Sequence, residues 1–201
     1  MDAERLQKQI SFLLEADKEK NIFRQTHLSN HGRNENDAEH AWHMALAAFL
    51  LREYANEEID LARVMAMCLI HDIVEIDAGD TYAYDEAGKA TQKEREDKAK
   101  ERIFSLLPDD QKAEMIGLFD EFEAFETPES CFAHAMDNVQ PFILNDSNGG
   151  GDWKEHDVSI SQVLKRQTQS AKGSKELCDY VLEKLEEHVK KGNIKDDREN
   201  K

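Results

Sequence analysis

Hydrophobic and polar positions recur with helical spacing along most of the chain. Apolar residues three and four positions apart on otherwise polar segments indicate amphipathic helices, and no stretch alternates with the two-residue period of a strand. The pattern therefore predicts an all-α fold of about seven to nine helices. We expect these helices over residues 2–18, 37–54, 61–76, 91–103, 158–168 and 174–190, and in two further segments that begin at Pro108 and Thr127.

The remaining segments divide the chain into one domain and a tail. Residues 1–190 are predicted to form a single domain, and the polar residues 191–201 a frayed C-terminal tail. Residues 21–36, 77–90 and 148–152 are predicted to be irregular.

Local signals refine the helix ends. Asp37 and Asp60 are predicted N-caps, and Thr127 is expected to cap the helix that Pro128 opens. Pro141 removes the backbone hydrogen bond to the carbonyl four residues earlier, which belongs to Asp137. We therefore predict a kink or a local widening of the helix there, with that carbonyl free for water or another group.

One apolar run stands out, from Leu61 to Ile70. It is too short to span a membrane, so it is predicted to be a helix buried on most of its surface. His71 and Asp72 follow it directly. An imidazole and a carboxylate at the end of a core helix are costly unless a partner compensates them, and a metal ion is one such partner.

Two more polar residues lie on apolar helix faces, and they extend the candidate site. His40 shares a face with Met44, and Asp137 lies within an apolar segment. With His71 and Asp72 they form a mixed nitrogen and oxygen set, which suits Mn, Fe, Co, Ni or Zn better than Mg or Ca. The alternative is that these histidines only form hydrogen bonds within the core.

Charge and cysteine content restrict the function classes. The net charge is -17, which argues against binding to nucleic acid polymers or to anionic membranes. A small anionic substrate stays possible if a metal and local cations reverse the field in a cleft. Three dispersed cysteines suggest free thiols, and no signal or transmembrane segment is found, so we expect a cytoplasmic protein.

These motifs together resemble the HD-domain metal-dependent phosphohydrolases. The segments Asn36-Asp-Ala-Glu-His40 and His71-Asp-Ile-Val-Glu75, with Gly79-Asp80 and Asp137, look like the 5′-deoxynucleotidase branch of that family. The resemblance implies a single HD-domain helical bundle with the metal site in its core. One divalent transition metal would be held by His40, His71, Asp72 and Asp137.

The resemblance also implies roles for residues around the metal. Glu75 would handle the proton of the attacking water, and Asp80 would contact the sugar or order the site. Arg24 matches an arginine that meets the substrate phosphate, and Arg33 is a second candidate. Gln25 stands where bacterial relatives carry Trp, a departure that bears on specificity.

From this resemblance we expect deoxynucleoside 5′-monophosphates to be the preferred substrates, ahead of ribonucleotides. Hydrolysis of guanosine polyphosphate alarmones is an alternative on the same fold, although Ile76 interrupts the acidic pair typical of those enzymes. A cyclic dinucleotide phosphodiesterase is disfavoured because the usual Lys after the doublet is absent. A non-catalytic acidic interaction module is the alternative from another class. We also expect a homodimer.

The other aromatic and imidazole side chains are expected to have structural rather than catalytic roles. His43 and His134 are expected to pack or to form hydrogen bonds, and Trp153 to anchor a loop. A surface position is expected for His27, His31, His156 and His188.

Overall fold

Helices dominate the structure, as the sequence predicts. The computed structural model describes residues 2–81 and 86–198. Ten α-helices lie within these ranges, of which α4 and α8 span little more than one turn. They are α1 (Ala3–Ala16), α2 (Asp37–Leu51), α3 (Leu61–Ile70), α4 (Glu75–Ala78), α5 (Glu86–Phe104), α6 (Asp109–Ala124), α7 (Pro128–Ser147), α8 (Gly151–Glu155), α9 (Ile160–Gln167) and α10 (Lys175–Lys190).

Helices α2, α3 and α7 pack against one another at the centre of the molecule. The side chains between them are large and fully buried, among them Met44, Met67 and Met136. Burying such a side chain is worth about 1.5–3 kcal/mol, so this contact supplies much of the core's stability. Each of the three helices also carries or adjoins a predicted metal ligand.

A short sheet replaces part of the predicted irregular segment. Strand β1 (Phe23–His27) pairs antiparallel with β2 (Asn34–Asn36), and the register is irregular between its two ends. The expectation of no strand was therefore wrong here. Burial alternates over the first four residues of β1, but the half-buried positions Arg24 and Thr26 are polar, so the sequence shows no alternation of apolar and polar types.

Helix α2 begins with a capping box rather than with the predicted cap. Asn36 accepts a hydrogen bond from the backbone N–H of Glu39, whose side chain in turn accepts from the Asn36 N–H. Asp37, predicted as the cap, is instead the first helical residue and is fully buried. Asp60 and Thr127 cap α3 and α7 as predicted.

The His71-Asp72 doublet lies beyond the end of α3, not inside one continuous helix over 61–76. Helix α3 ends at Ile70, a turn follows, and α4 starts at Glu75. The Glu75 N–H donates to the Asp72 carbonyl at 2.8 Å, a bond between residues three apart. Because of this tighter turn, the side chains of His71 and Asp72 point in other directions than they would in a regular α-helix.

The segment that follows α10 folds back onto the core. Residues Ser159 and Lys195 form a bridge, and Ile194 is buried, so this part of the predicted frayed tail is attached. Helix α7 continues through Pro141, and the Asp137 carbonyl accepts a hydrogen bond from Arg166 Nη2 at 3.3 Å. A group other than the backbone therefore bonds that carbonyl, as predicted.

Among the residues described, no helix combines the length and apolarity needed to cross a membrane. The three cysteines are buried free thiols. Large apolar side chains of α1 and α2 are exposed, and the homodimer stays a prediction; examples are Leu13, Leu14, Trp42, Phe49 and Leu50.

Replacement of Gly173 by Ala should destabilise the protein by about 2 kcal/mol or more. A Cβ at this position would lie 2.0 Å from the Cys131 backbone oxygen, so the segment after α9 would have to move away from α7. Gly117 is the matched control, since a Cβ there meets nothing within 4 Å. Gly117→Ala, in the exposed middle of α6, should stabilise by about 0.5–1 kcal/mol.

Urea unfolding followed by circular dichroism measures both variants. A Gly173→Ala midpoint equal to that of the unchanged protein would contradict the close packing of α7 against this segment.

Candidate metal centre

Three of the predicted metal ligands meet where α2, α3 and α7 converge. His40, His71 and Asp72 each offer a ligand atom, and these atoms lie within 4.8 Å of one another. All three residues are buried, and the two imidazole centroids are 5.6 Å apart. Imidazole nitrogen with carboxylate oxygen is a donor set typical of borderline transition metals.

Hydrogen bonds fix which nitrogen of each imidazole faces the cluster. His40 Nδ1 lies 2.7 Å from Gln140 Oε1, and His71 Nδ1 lies 3.1 Å from the Cys68 carbonyl. Carbonyl oxygens only accept, so both Nδ1 atoms must carry a proton. Each Nε2 is therefore the nitrogen that can offer a lone pair to a metal.

The orientation of Gln140 is itself fixed by its neighbours. Its Nε2 donates to Glu35 Oε1 at 2.7 Å and to His43 Nδ1 at 3.0 Å. Because a carboxylate needs a donor, the amide oxygen must point to His40. Neither Gln140 nor Glu35 was predicted from the sequence, because no motif surrounds them.

Asp137 joins the cluster from α7. Its Oδ1 lies 3.2 Å from His40 Nε2, and its Oδ2 accepts from Arg166 Nη2 at 3.1 Å. Burial opposes ionisation of Asp137, but the charge of Arg166 and the contact with His40 hold its pKa well below the ordinary value. Arg166 also donates to Asn138 Oδ1 at 2.7 Å, which fixes the guanidinium.

Asp72 is paired on its other side by Arg24. Arg24 Nη1 donates to Asp72 Oδ2 at 2.7 Å and to Asp37 Oδ1 at 3.3 Å. His71 Nε2 lies 3.1 Å from Asp72 Oδ1. Burial alone would lower the pKa of His71, but the Asp72 carboxylate outweighs it and raises that pKa to about 9. A metal at this nitrogen must displace the proton, so its affinity rises with pH.

A second acidic group adjoins Arg24. Asp37, Glu75 and Asp80 place carboxylate oxygens within 4.8 Å of one another. Burial raises the pKa of Glu75 well above its ordinary value, and the charges of Asp72 and Asp37 act in the same direction. Burial likewise raises the pKa of Asp37 to about 7. Like charges this close cannot all ionise, so this group holds protons near neutral pH.

Three buried polar atoms at this place have no hydrogen-bond partner within the described part of the chain. They are Glu75 Oε2, Arg24 Nε and Asp37 Oδ2. Orphaned buried groups are rare in folded proteins and call for an explanation such as an ion, water or ligand. All three atoms lie beside the cluster of histidines and carboxylates.

A cleft of about 630 Å³, solvent at its mouth included, adjoins the cluster through the two arginines that contact Asp72 and Asp137. Arg24 and Arg166 both line it, as does Asp80. Gly79, with φ of 75°, ends α4 in a conformation that favours glycine and turns the chain toward Asp80. Pro141 and Trp153 contribute apolar wall, and the Trp153 side chain is part of the buried core.

The structure brings most of the predicted site residues together but not Arg33. The guanidinium of Arg33 is exposed and donates to both carboxylate oxygens of Glu39 at 2.8 and 2.6 Å. Among the other histidines, His134 donates to the Phe122 carbonyl, as expected. His188 is buried against Asp146, not at the surface.

Arg166 is the main residue that the sequence analysis missed. It lies near the C-terminus of α9, a charged position in an amphipathic helix with no motif around it. Its signal in the sequence is a guanidinium on a short helix that follows α7 in the chain, and many solvated arginines share that description.

Known proteins are similar to this chain in sequence and in fold. A family model described as HD domain matches residues 16–178. The 5′-deoxynucleotidases HDDC2 of Homo sapiens and Danio rerio are each 28% identical, over 111 and 109 residues, which cover 55% and 54% of this chain and 53% of each relative. The chain thus matches about half the length of these curated relatives.

Solved structures extend the similarity over nearly the whole chain. A predicted metal-dependent phosphohydrolase from Magnetospirillum magnetotacticum MS-1 has a TM-score of 0.91 and 49% identity, and covers 96% of both chains. An HD-domain phosphohydrolase from Listeria innocua has a TM-score of 0.60 at 18% identity, covering 92% of this chain and 90% of its own, which shows the fold alone. With the family model spanning residues 16–178, the chain belongs to the HD-domain family.

Proposed function

We propose that this protein is a metal-dependent phosphohydrolase, and more narrowly a 5′-deoxynucleotidase. The observation that carries the proposal is the fixed direction of two Nε2 atoms. His40 and His71 both donate through Nδ1 to carbonyl oxygens and aim Nε2 at Asp72 and Asp137. An arrangement that only satisfied buried histidines would not need two imidazoles oriented alike toward shared carboxylates.

The residues present fit one divalent transition metal. His40, His71, Asp72 and Asp137 would hold it, and Gln140 and the Cys68 carbonyl would orient the imidazoles. When bound, the ion supplies Lewis-acid activation of a water for attack on phosphorus.

The two arginines of the cleft are suited to the substrate phosphate. Arg24 has an unpaired Nε beside the cluster, and Arg166 lines the same cleft from α9. Guanidinium groups bind phosphate in a planar, often bidentate geometry, and they neutralise the charge of its oxygens in the transition state. In an acidic chain of net charge -17, these two groups provide the local positive field.

Glu75 is suited to proton transfer. Burial raises the pKa of Glu75 well above that of an ordinary carboxyl, so this group holds a proton more readily than an exposed one, and its Oε2 has no partner among the described residues. In its ionised form Glu75 would take a proton from the attacking water, and it would then give one to the leaving alcohol of the nucleoside. Asp80, which lines the cleft, would contact the sugar.

The choice of a monophosphate follows from charge. Asp37, Glu75 and Asp80 lie near Arg24, so the cleft offers positive charge for one phosphate rather than for a chain of them. The curated relatives that match this chain are 5′-deoxynucleotidases, which supports the deoxy preference. The comparison of substrates proposed below distinguishes this function from alarmone hydrolysis and from a non-catalytic interaction module.

Asp72→Ala and Glu75→Gln should separate metal binding from proton transfer. Asp72→Ala removes a ligand and should lower both the metal content and the phosphate release to near background. Glu75→Gln keeps the shape and should leave about one metal per chain, while kcat falls about 10²–10⁴-fold. Elemental analysis and phosphate release measure the two effects. Full activity of metal-stripped protein in chelator would refute the metal-dependent mechanism.

Arg166→Ala should reduce kcat/KM by about 10- to 100-fold, because Asp137 loses the guanidinium that fixes it and the phosphate loses a cation. Lys165→Ala is the matched control on the same helix, since Lys165 is exposed, and it should change kcat/KM less than twofold. Steady-state kinetics at saturating metal provide the measurement. Equal effects of the two substitutions would remove Arg166 from the site.

Deoxynucleoside 5′-monophosphates should be hydrolysed faster than matched ribonucleotides and than guanosine tetraphosphate. Extra phosphates meet the acidic group near Arg24, and a 2′-hydroxyl would need room beside Asp80. Phosphate release is compared at one metal concentration. Faster turnover of the alarmone than of every deoxynucleotide would overturn the assignment, and no turnover of any substrate by metal-loaded protein would favour the interaction module.

A further inference from the structure

A second group of potential metal ligands lies outside the candidate metal centre. His27 ends strand β1, His31 lies in the turn that follows, and Asp152 and Glu155 belong to α8. Their ligand atoms all lie within 4.8 Å of one another. From this geometry we infer that His27, His31 and Asp152 hold a divalent transition metal of the zinc class, with exposed Glu155 as the fourth ligand.

Asp152 is the fixed point of this group. It is only 4% exposed, and its Oδ2 accepts from the His27 backbone N–H at 3.1 Å. Its Oδ1 lies 2.7 Å from His27 Nδ1 and 3.5 Å from His31 Nε2. Tetrahedral ligands at zinc distances are separated by about 3.3 Å, so the two observed separations bracket the geometry that an ion requires.

The two imidazoles are aligned on the same carboxylate oxygen. Their rings stack with centroids 4.3 Å apart and an interplanar angle of 16°. A hydrogen bond between His27 Nδ1 and Asp152 Oδ1 satisfies the His27 imidazole. It provides no such bond for the His31 imidazole, whose Nε2 lies 3.5 Å from the same oxygen. A divalent ion would serve both nitrogens and the carboxylate at once.

The backbone is shaped to bring His31 to this place. His31 has φ of 54°, a left-handed conformation that costs a residue with a Cβ and that is enriched at functional positions. A Cβ on Gly151 would lie 2.4 Å from His31 Nε2, so the imidazole occupies space that only glycine leaves. Both features hold the ring against Asp152.

The chemistry of the donors selects the class of metal. Two imidazoles and one or two carboxylates suit zinc or a similar borderline ion, whereas magnesium and calcium prefer all-oxygen sites. The net charge of -17 favours cation binding in general. The bound ion would join β1 to α8 at the rim of the cleft, where Asp152 is part of the lining.

Zinc content is the direct test, with His31→Asn as the principal variant. Asn tolerates the left-handed backbone and removes the imidazole. Gly151→Ala is a second variant, which keeps every ligand but displaces the His31 ring. His156→Ala is the matched control, because it removes a histidine next to Glu155 that is outside the group. All proteins are dialysed against the same buffered Zn²⁺ solution and analysed for bound metal.

The full chain and His156→Ala should each hold one more zinc ion per chain than His31→Asn and Gly151→Ala. Zinc should also raise the melting temperature of the full chain and of His156→Ala more than that of His31→Asn and Gly151→Ala, because an ion that binds only the folded state stabilises it. This difference does not depend on whether the candidate metal centre is filled or active. Equal zinc content in the full chain and His31→Asn, with both folded, would overturn the inference.

Discussion

Burial of negative charge where α2, α3 and α7 meet is the constraint on which the rest of the structure depends. Asp72 is buried and Asp137 is largely buried, and each is paired with one arginine and at least one histidine. Loss of one partner of a buried ion pair costs about 3–5 kcal/mol, so Arg24 and Arg166 are as much structural as chemical. The sheet that carries Arg24 and the helix that carries Arg166 must therefore pack onto the central helices in one arrangement.

The histidine network extends this constraint from charge to direction. Glu35 orients Gln140, which orients His40, so one carboxylate outside the cluster determines which nitrogen faces it. The Cys68 carbonyl does the same for His71 because α3 ends at Ile70. A continuous helix would instead have used that carbonyl in its own ladder. The break after α3 thus creates the acceptor that fixes the imidazole.

Sequence reasoning found the parts of this structure that depend on local pattern. Helical periodicity gave most of the helices, and the unusual polarity of His71 and Asp72 after an apolar run marked the centre. It did not find the end of α3, because apolar spacing continues through Ile73 and Ile76 while the hydrogen bonds change. Nor could it find Gln140 or Arg166, whose roles arise only when α7 meets α2 and α9 in space.

Strand β1 connects the two groups of ligands that the fold creates. Arg24 near its start reaches Asp72 in the central cluster, and His27 at its end reaches Asp152 in α8. A strand bound at both ends cannot shift along its axis without breaking one of these contacts. An ion at His27 and Asp152 would strengthen the outer contact, and would thereby hold Arg24 at the position where the buried carboxylate and a substrate phosphate both need it.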